Sequence, residues 1–328
     1  MRSHFIDVHV NRRNAPFLVV TNNQWWDMNR AALKKKPGEL GVYRGLGLLL
    51  AGVCIGFCAP VMAASGQRVL FVGNSFTAGM HSAAWRYQAA SVHDLNGTGV
   101  GGVPALFEMF TKEAGLNYTV SVETVPGKGL KYHFLHEKAV LDHSWDAVVM
   151  QEYSTLNPEK PGDSTVFREY AHRLAELFAR QNSKVEVWLM ASWSRPDMTY
   201  TQNSPWRGGS IEAMASDFQQ ACTQVANSSS HIKGVIPVGL AFNRAISAKI
   251  ADPNPYDGID FGKVNLWAYD GHHASVYGYY LEALMDFGKI TGRDPRKLGG
   301  KEQAAVELGI SSEQAIQLQK AANWQLHH

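Results

Sequence analysis

The sequence predicts an α/β domain built on a parallel, doubly wound sheet. Short apolar runs rich in β-branched residues alternate with longer segments of helical periodicity, an order that places helices on both faces of a parallel sheet. Most of these runs are continuously apolar, as expected of strands covered on both faces. The runs predicted as strands are 68–74, 118–125, 146–152, 185–192 and 235–241.

The segments between these runs have the spacing of amphipathic helices. In 165–181 the apolar side chains recur every three or four positions and form one stripe. Helices are also predicted at 104–115, 210–227 and 276–290. We therefore expect one domain over residues 64–295, followed by a C-terminal helical extension over 296–328. Two short helices are predicted in this tail, the second opening with a capping box of Ser311 and Gln314.

Residues 1–63 have the pattern of a leader that ends in an export signal. Lys34-Lys35-Lys36 precede a leucine-rich stretch without charge, and Val61-Met62-Ala63 supply small side chains at the positions that a signal peptidase requires. Cleavage is expected after Ala63 or Ala64, and translation could start at Met28. We therefore expect an exported protein, periplasmic or secreted.

The alternative to a cleaved signal is a retained membrane anchor. Its strongly apolar part, about 46–59, is shorter than the ~20 residues that a spanning helix needs. We therefore expect no stable membrane association after cleavage, and the sequence leaves the oligomeric state open.

The charge and cysteine content of the remaining chain exclude some classes of protein. Residues 1–63 hold eight of the 31 basic and three of the 29 acidic residues, so the remainder has a net charge of −3 and no signature of nucleic-acid binding. This part keeps only Cys222, which rules out an intrachain disulfide. Its stability must come from a core that about 265 residues can bury.

Polar and glycine-rich residues follow four of the predicted strands. In an open parallel sheet, ligands bind at the carboxyl ends of the strands. The strand ends carry Gly73-Asn74-Ser75, Pro126-Gly127-Lys128-Gly129, Gln151-Glu152-Tyr153-Ser154 and Ser192-Trp193-Ser194. We expect these residues to share one edge of the sheet and to form a site there.

Ser75 is the candidate nucleophile of that site. A serine hydroxyl needs a base to take its proton, and Asp270 and His273 lie three residues apart, just before a helical pattern. One turn can carry both, with the carboxylate holding the imidazole that faces the serine. The alternative is that Ser75 caps a helix and that "DGHH" is a surface turn.

Three blocks resemble motifs of the SGNH/GDSL hydrolase superfamily, in the subgroup that reads GNSFT, QE-x-S and D-G-x-H-x-S. They are GNSFT at 73–77, QEYS at 151–154 and DGHHAS at 270–275, and "PVGLAF" at 237–242 is similar to a fourth stretch of that subgroup. The resemblance covers about 68–290. It implies a flavodoxin-like, three-layer α/β/α sandwich with a five-stranded parallel sheet.

The resemblance also implies roles for individual residues. Ser75 is expected as the nucleophile, His273 as its base and Asp270 as the partner of the base. The oxyanion hole is expected to use the N–H groups of Ser75 and Gly127 and the side chain of Gln151. Two positions depart from the family, because Gln151 stands where the family has asparagine and Ala274 stands where it usually has proline.

The remaining candidates concern binding. Asn74, Glu152, Trp193 and His272 are possible substrate-binding residues, and His272 competes with His273 as the base. His133 and His136 have metal-ligand spacing without a matching partner set, so we expect no metal and no organic cofactor.

By family analogy and the expected compartment, the sequence indicates an exported serine esterase acting on an ester of a small molecule or glycan, with O-acetyl groups on carbohydrate as the first choice. The alternatives are a lipid esterase or thioesterase, and a non-catalytic glycan-binding protein.

Overall fold

The computed structural model describes residues 66–328, so the predicted leader, export signal and cleavage point lie outside the described residues. Among these residues, one sheet contains β1 (Gln67–Gly73), β2 (His93–Asp94), β3 (Tyr118–Thr124), β4 (Ala147–Gln151), β5 (Glu186–Met190) and β6 (Gly234–Ile236). All pairs are parallel, and the order is β2-β3-β1-β4-β5-β6. No helix in this range is both long enough and apolar enough to cross a membrane.

The predicted doubly wound sheet is confirmed, with two corrections. The described part of the sheet has six strands rather than five, because the two-residue β2 adds an edge beside β3. Without that edge the strand order is that of a flavodoxin-like sheet, whose direction of winding reverses between β1 and β4. The strand predicted at 235–241 ends at Ile236, since Pro237 has no N–H to donate and precedes a helix.

Helices cover both faces of the sheet. They are α1 (Gly102–Glu113), α2 (Leu130–His136), α3 (Lys138–Leu141), α4 (Thr165–Gln181), α5 (Ile211–Asn227), α6 (Val238–Ser247), α7 (Val276–Thr291), α8 (Gln303–Glu307) and α9 (Ser312–His327). The four helices predicted before residue 295 are confirmed as α1, α4, α5 and α7, with ends within two residues of the prediction. Helices α2, α3 and α6 were not predicted.

The side chains of β1 point alternately into two hydrophobic cores. Val69 and Phe71 point into a core closed by α1, α6 and α7, whereas Leu70 and Val72 point into a core closed by α2, α4 and α5. All four are buried, which is the reason for the continuously apolar run. Full burial of such side chains contributes about 1.5–3 kcal/mol each.

The C-terminal extension belongs to the first of these cores. Helix α9 packs on α6 and α7, and α8 packs on α1. Ala304, Ala305 and Leu318 are fully buried there. The predicted capping box is present: the Gln314 N–H donates to Ser311 Oγ at 3.2 Å, and the Ser311 N–H donates to Gln314 Oε1 at 2.9 Å.

Helix α7 buries two carboxyl groups one turn apart, Glu282 and Asp286. Neither oxygen of Asp286, nor Oε2 of Glu282, has a hydrogen-bond partner within the described chain. Burial raises the pKa of both groups well above the ordinary carboxyl range. Burial therefore favours the protonated form of both groups, and folding takes up protons wherever the unfolded chain has already released them. Stability must fall as pH rises above the unfolded pKa, until the folded pKa is reached.

Replacing Asp286 with asparagine should make stability less dependent on pH. Each proton taken up on folding lowers the free energy of unfolding by about 1.4 kcal/mol for every pH unit of increase. Asp286→Asn removes one such proton. Urea unfolding measured between about pH 5 and pH 8 should give a slope of unfolding free energy against pH that is shallower by about this amount. Glu313→Gln, at an exposed position on α9, should leave the slope unchanged. Equal slopes for wild type and Asp286→Asn would contradict a protonated Asp286.

Candidate active site

Strand β1 ends in a tight turn that carries Ser75. Gly73 has no room for a side chain, because a Cβ there would lie 2.3 Å from Thr77 Oγ1 and 2.7 Å from Gln151 Oε1. Asn74 closes the turn: its Oδ1 accepts the Phe76 N–H at 3.1 Å. The Met80 N–H then donates to the Ser75 carbonyl at 3.0 Å. The turn leads into no helix that Ser75 caps. Its hydroxyl instead meets a histidine.

Ser75, His273 and Asp270 form a hydrogen-bonded triad. His273 Nε2 lies 2.9 Å from Ser75 Oγ, and His273 Nδ1 lies 2.6 Å from Asp270 Oδ2. The other carboxylate oxygen of Asp270 accepts the N–H groups of His272 and His273 at 3.0 Å each. Ser75 is thus brought to an imidazole 198 residues away. Of the two adjacent histidines, His273 is the one that contacts Ser75.

The turn that carries Asp270 and His273 is fixed from both sides. Gly271 has φ +61°, and a Cβ there would lie 2.2 Å from Tyr256 Oη. On the other side, Ser275 Oγ accepts the Tyr277 N–H at 3.1 Å and caps α7. The position of His273 is therefore set by the start of a buried helix. Ala274, where the family usually has proline, is fully buried within this turn.

The charge states of the triad suit proton transfer. Burial alone would raise the pKa of Asp270, but hydrogen bonds from His273 and two backbone N–H groups lower it to about 2. Burial lowers the pKa of His273, and the hydrogen bond to Asp270 opposes that effect. At neutral pH Asp270 is therefore ionised and His273 is a neutral base with Nε2 facing Ser75.

Two backbone N–H groups are free to bind a negatively charged oxygen. Neither the Ser75 nor the Gly127 N–H donates to a protein acceptor within residues 66–328. Gly127 has φ +68° and lies in the loop after β3. That loop is tied to the nucleophile turn, since the Val125 N–H donates to the Gly73 carbonyl at 3.1 Å and Asn74 Nδ2 donates to the Lys128 carbonyl at 3.0 Å.

Gln151 has a role that the sequence did not indicate. Its Oε1 accepts the Asn74 N–H at 2.9 Å and the Thr77 hydroxyl at 3.2 Å, so the amide holds the turn before Ser75. Its Nε2 donates one hydrogen to the Glu152 carbonyl. Gln151 is therefore a positioning residue for the nucleophile turn.

Three of the possible substrate-binding residues lie inside the protein. Trp193 has no exposed surface: its ring stacks between Phe76 and Phe242, with centroids 4.4 and 5.1 Å away. A ring so enclosed cannot contact substrate, which corrects that expectation. Its Nε1 donates to the His272 carbonyl at 3.2 Å, so Trp193 supports the turn of the base. Asn74 is buried in the nucleophile turn.

Glu152 is the third of these buried residues. It accepts the Tyr153 and Leu130 N–H groups at 2.9 and 3.2 Å, and burial raises its pKa to about 7. A Cβ on Gly129 would lie 1.9 Å from Glu152 Oε1, so this carboxyl group packs directly beneath the loop after β3. Glu152 therefore supports the loop after β3.

His272 remains half-exposed beside the base. Its ring stacks on His273 at 4.5 Å, with 14° between the ring planes. Burial and nearby Arg195 lower the pKa of His272 to about 3, so it is uncharged. Among the earlier metal candidates, His133 is buried with Nδ1 2.6 Å from Glu123 Oε2, whereas His136 is exposed. These two do not form a shared site.

The sequence did not indicate the buried ion pair between Arg195 and Asp197. Arg195 donates through Nε and Nη2 to Asp197 at 3.0 and 2.5 Å, and through Nη1 to Ser154 Oγ at 3.2 Å. The Asp197 N–H donates to the Gly271 carbonyl at 3.1 Å. The pair thus links the end of β5 to the turn of the base. The local signal was the charged pair in "SRPD", which follows the predicted strand end.

His81 and Tyr269 also lie beside the triad and were missed. His81 has φ +63°, and its ring centroid lies 4.3 Å from that of His273. Its Nδ1 is 3.1 Å from Tyr269 Oη. Tyr269 is 84% exposed, so its ring forms an open wall next to Asp270. His81 lies 192 positions before His273 in the chain, and no local pattern indicated the contact.

Comparison with known proteins identifies the fold. No protein-family model matches the sequence, and no curated protein is similar enough to match it. Among solved structures, a DUF4886 family protein from Bacteroides uniformis is 17% identical, with a TM-score of 0.56 over 80% of this chain and 96% of that one. This likeness establishes a shared fold.

Two further solved structures are similar at lower scores. A candidate SGNH hydrolase from Slackia heliotrinireducens is 20% identical, with a TM-score of 0.45 over 69% of this chain and 100% of that one. A variant of an acetyl-xylooligosaccharide esterase from Geobacillus Stearmophilus is 17% identical, with a TM-score of 0.44 over 69% and 94%. The three-layer, doubly wound architecture is the one implied by the SGNH/GDSL resemblance.

Truncating Gln151 should damage both stability and hydrolysis. Gln151→Ala leaves the buried Asn74 N–H without its acceptor, which costs about 1–3 kcal/mol in the free energy of unfolding. Loss of the oxyanion donor that the family resemblance implies should also lower kcat for p-nitrophenyl acetate by about 10²–10³.

Thr77→Val is the matched control for Gln151→Ala, because it removes the other donor to the same oxygen and leaves Nε2 in place. Its kcat should stay within a few-fold of wild type. Wild-type stability and rate in Gln151→Ala would contradict both roles.

Proposed function

We propose that this protein is a serine ester hydrolase that works through an acyl-enzyme on Ser75. The observation that carries the proposal is the continuous chain from Ser75 Oγ through the His273 imidazole to Asp270, at 2.9 and 2.6 Å. A helix-capping serine needs no such chain. The free N–H groups of Ser75 and Gly127 add the second requirement, a place for negative charge to develop.

The proposed reaction begins with acylation. Ser75 Oγ attacks the ester carbonyl carbon while His273 Nε2 takes the hydroxyl proton, and Asp270 stabilises the imidazolium that forms. The carbonyl oxygen becomes an oxyanion bound by the N–H groups of Ser75 and Gly127, with Gln151 Nε2 as a third donor. The carbon–oxygen bond to the alcohol then breaks, and His273 returns the proton to the departing alcohol.

Deacylation repeats these steps with water. His273 Nε2 takes a proton from a water molecule, which attacks the acyl carbon and releases the carboxylic acid, while the proton returns to Ser75 Oγ. The protein's own groups carry every proton in this sequence, so we propose no metal or organic cofactor for it.

For the substrate we propose a short acyl ester on carbohydrate, met outside the cytoplasm after export. Two features support this proposal. Tyr269 presents an open aromatic ring beside the triad, a surface on which a sugar ring can stack, and Ser75 is half-exposed, so it can reach an acyl group on a bulky alcohol. The predicted export signal supplies the compartment.

A cavity beside the loop after β3 favours a second candidate, a lipid esterase or thioesterase. It has a volume of about 340 Å³ and is lined in part by Tyr132, Leu135 and Val166, with Leu135 51% exposed. The cavity also borders Lys128, whose carbonyl binds the Asn74 side chain next to Ser75. A longer acyl chain could lie there.

Hydrolysis of p-nitrophenyl esters by the purified protein tests the proposal. Ser75→Ala and His273→Ala should each lower kcat for the acetate by about 10⁴–10⁶, with folding verified by circular dichroism. Ser216→Ala, at an exposed serine on α5, should match wild type. The acetate and a peracetylated disaccharide should be better substrates than the octanoate.

The other outcomes separate the alternatives. Preference for the octanoate would favour the lipid esterase and overturn the carbohydrate proposal. If wild type, Ser75→Ala and His273→Ala share one background rate, the esterase proposal fails. Binding to carbohydrate in the absence of hydrolysis would then favour the non-catalytic glycan-binding protein.

A further inference from the structure

Three side chains that can bind a metal ion meet at the candidate active site. His81, Asp270 and His273 each offer one ligand atom, and the three atoms lie within 4.8 Å of one another. Two imidazole nitrogens and one carboxylate oxygen form a donor set that Zn²⁺ takes in three-residue sites, with the fourth position left open. Tetrahedral zinc bonds of about 2.0–2.2 Å place ligand atoms roughly 3.3 Å apart. This separation lies between the 2.6 Å from His273 Nδ1 to Asp270 Oδ2 and the 4.8 Å limit of the group.

His81 is the most accessible member of this group. It is exposed, and its Nε2 has no partner among the described residues, while Nδ1 contacts Tyr269 Oη at 3.1 Å. The left-handed backbone at His81 directs its ring over His273, with the ring planes 36° apart. A non-glycine residue adopts this conformation at some cost, which the surrounding turn must offset.

We propose that His81, Asp270 and His273 form an inhibitory site for Zn²⁺ and similar nitrogen-binding divalent ions. The inference rests on the proposed function, because the ion acts by removing its base. Asp270 faces His273 Nδ1, so an ion shared by these two residues binds Nδ1 in place of the proton there. That proton moves to Nε2, and the neutral ring can then no longer accept the Ser75 proton. Inhibition is reversible, because the ion is held by coordination bonds and Zn²⁺ has no redox chemistry.

The selectivity of this site follows from its ligands. Mg²⁺ prefers oxygen ligands and gives up its water reluctantly, so two imidazoles bind it poorly. Zinc and its neighbours among the late transition metals bind imidazole well. Inhibition by micromolar zinc without inhibition by millimolar magnesium is therefore the expected pattern, on the order of a thousandfold difference in concentration.

Zinc titration of ester hydrolysis tests the inference directly. The protein is produced without a polyhistidine tag, and each rate for p-nitrophenyl acetate is taken relative to the same protein's metal-free rate. His81→Asn removes the imidazole and tolerates the left-handed backbone. It should raise the zinc concentration for half-inhibition by about tenfold or more.

His231→Asn is the matched control, because His231 is exposed and lies outside the group of three ligands. It should leave the half-inhibition concentration unchanged, and a chelator should restore the wild-type rate. Equal zinc sensitivity of wild type and His81→Asn, or no inhibition of an active wild type, would overturn the inference.

A binding measurement keeps this test separate from the test of the proposed function. Ser75→Ala retains all three ligands, so it should take up one Zn²⁺ by isothermal titration calorimetry and show the visible absorption of tetrahedral Co²⁺. Adding His81→Asn should weaken zinc binding by about tenfold or more and remove the cobalt signal. A wild type that binds zinc here but hydrolyses no ester would refute the esterase alone. Zinc binding that His81→Asn leaves unchanged would refute the site alone.

Discussion

The geometry of the candidate active site depends on the hydrogen bond from the Asn74 N–H to Gln151 Oε1, at 2.9 Å. This bond joins the ends of β1 and β4, the two strands between which the winding of the sheet reverses. A crevice opens at such a reversal, because the chain leaves the two strands toward opposite faces. Gly73 allows the amide to approach, and Ser75 follows two residues later. The nucleophile is therefore placed by the sheet itself.

The base reaches the same crevice through a second set of buried contacts. Trp193 fixes the His272 carbonyl, and Asp197, paired with Arg195, fixes the Gly271 carbonyl. Both supports come from the segment after β5. The end of β4 therefore positions Ser75, and the segment after the neighbouring β5 positions Asp270 and His273. An isolated buried charge would be costly. Asp197 neutralises Arg195 through two hydrogen bonds, and the pair supports the turn that carries the base. These buried polar groups therefore hold the residues of the triad in position.

Much of this was predictable from local sequence, and the rest depended on distant contacts. The helix at 165–181, the capping box at Ser311 and the positions of β1, β3, β4 and β5 along the chain follow from periodicity and end signals that need no tertiary information. The end of β6 was missed because a short apolar run reads alike as a strand or as a buried helix. The ring of His81 over His273 was missed because residues so far apart share no local pattern.

The central claim is that Ser75 is an activated nucleophile, and covalent labelling tests it most directly. A fluorophosphonate reacts with a serine only where a neighbouring base and an oxyanion site activate it. Intact-mass analysis should show one adduct on the wild-type protein, located on the peptide that contains Ser75, and no adduct on Ser75→Ala. An adduct on another serine, or an unlabelled wild-type protein, would contradict the account.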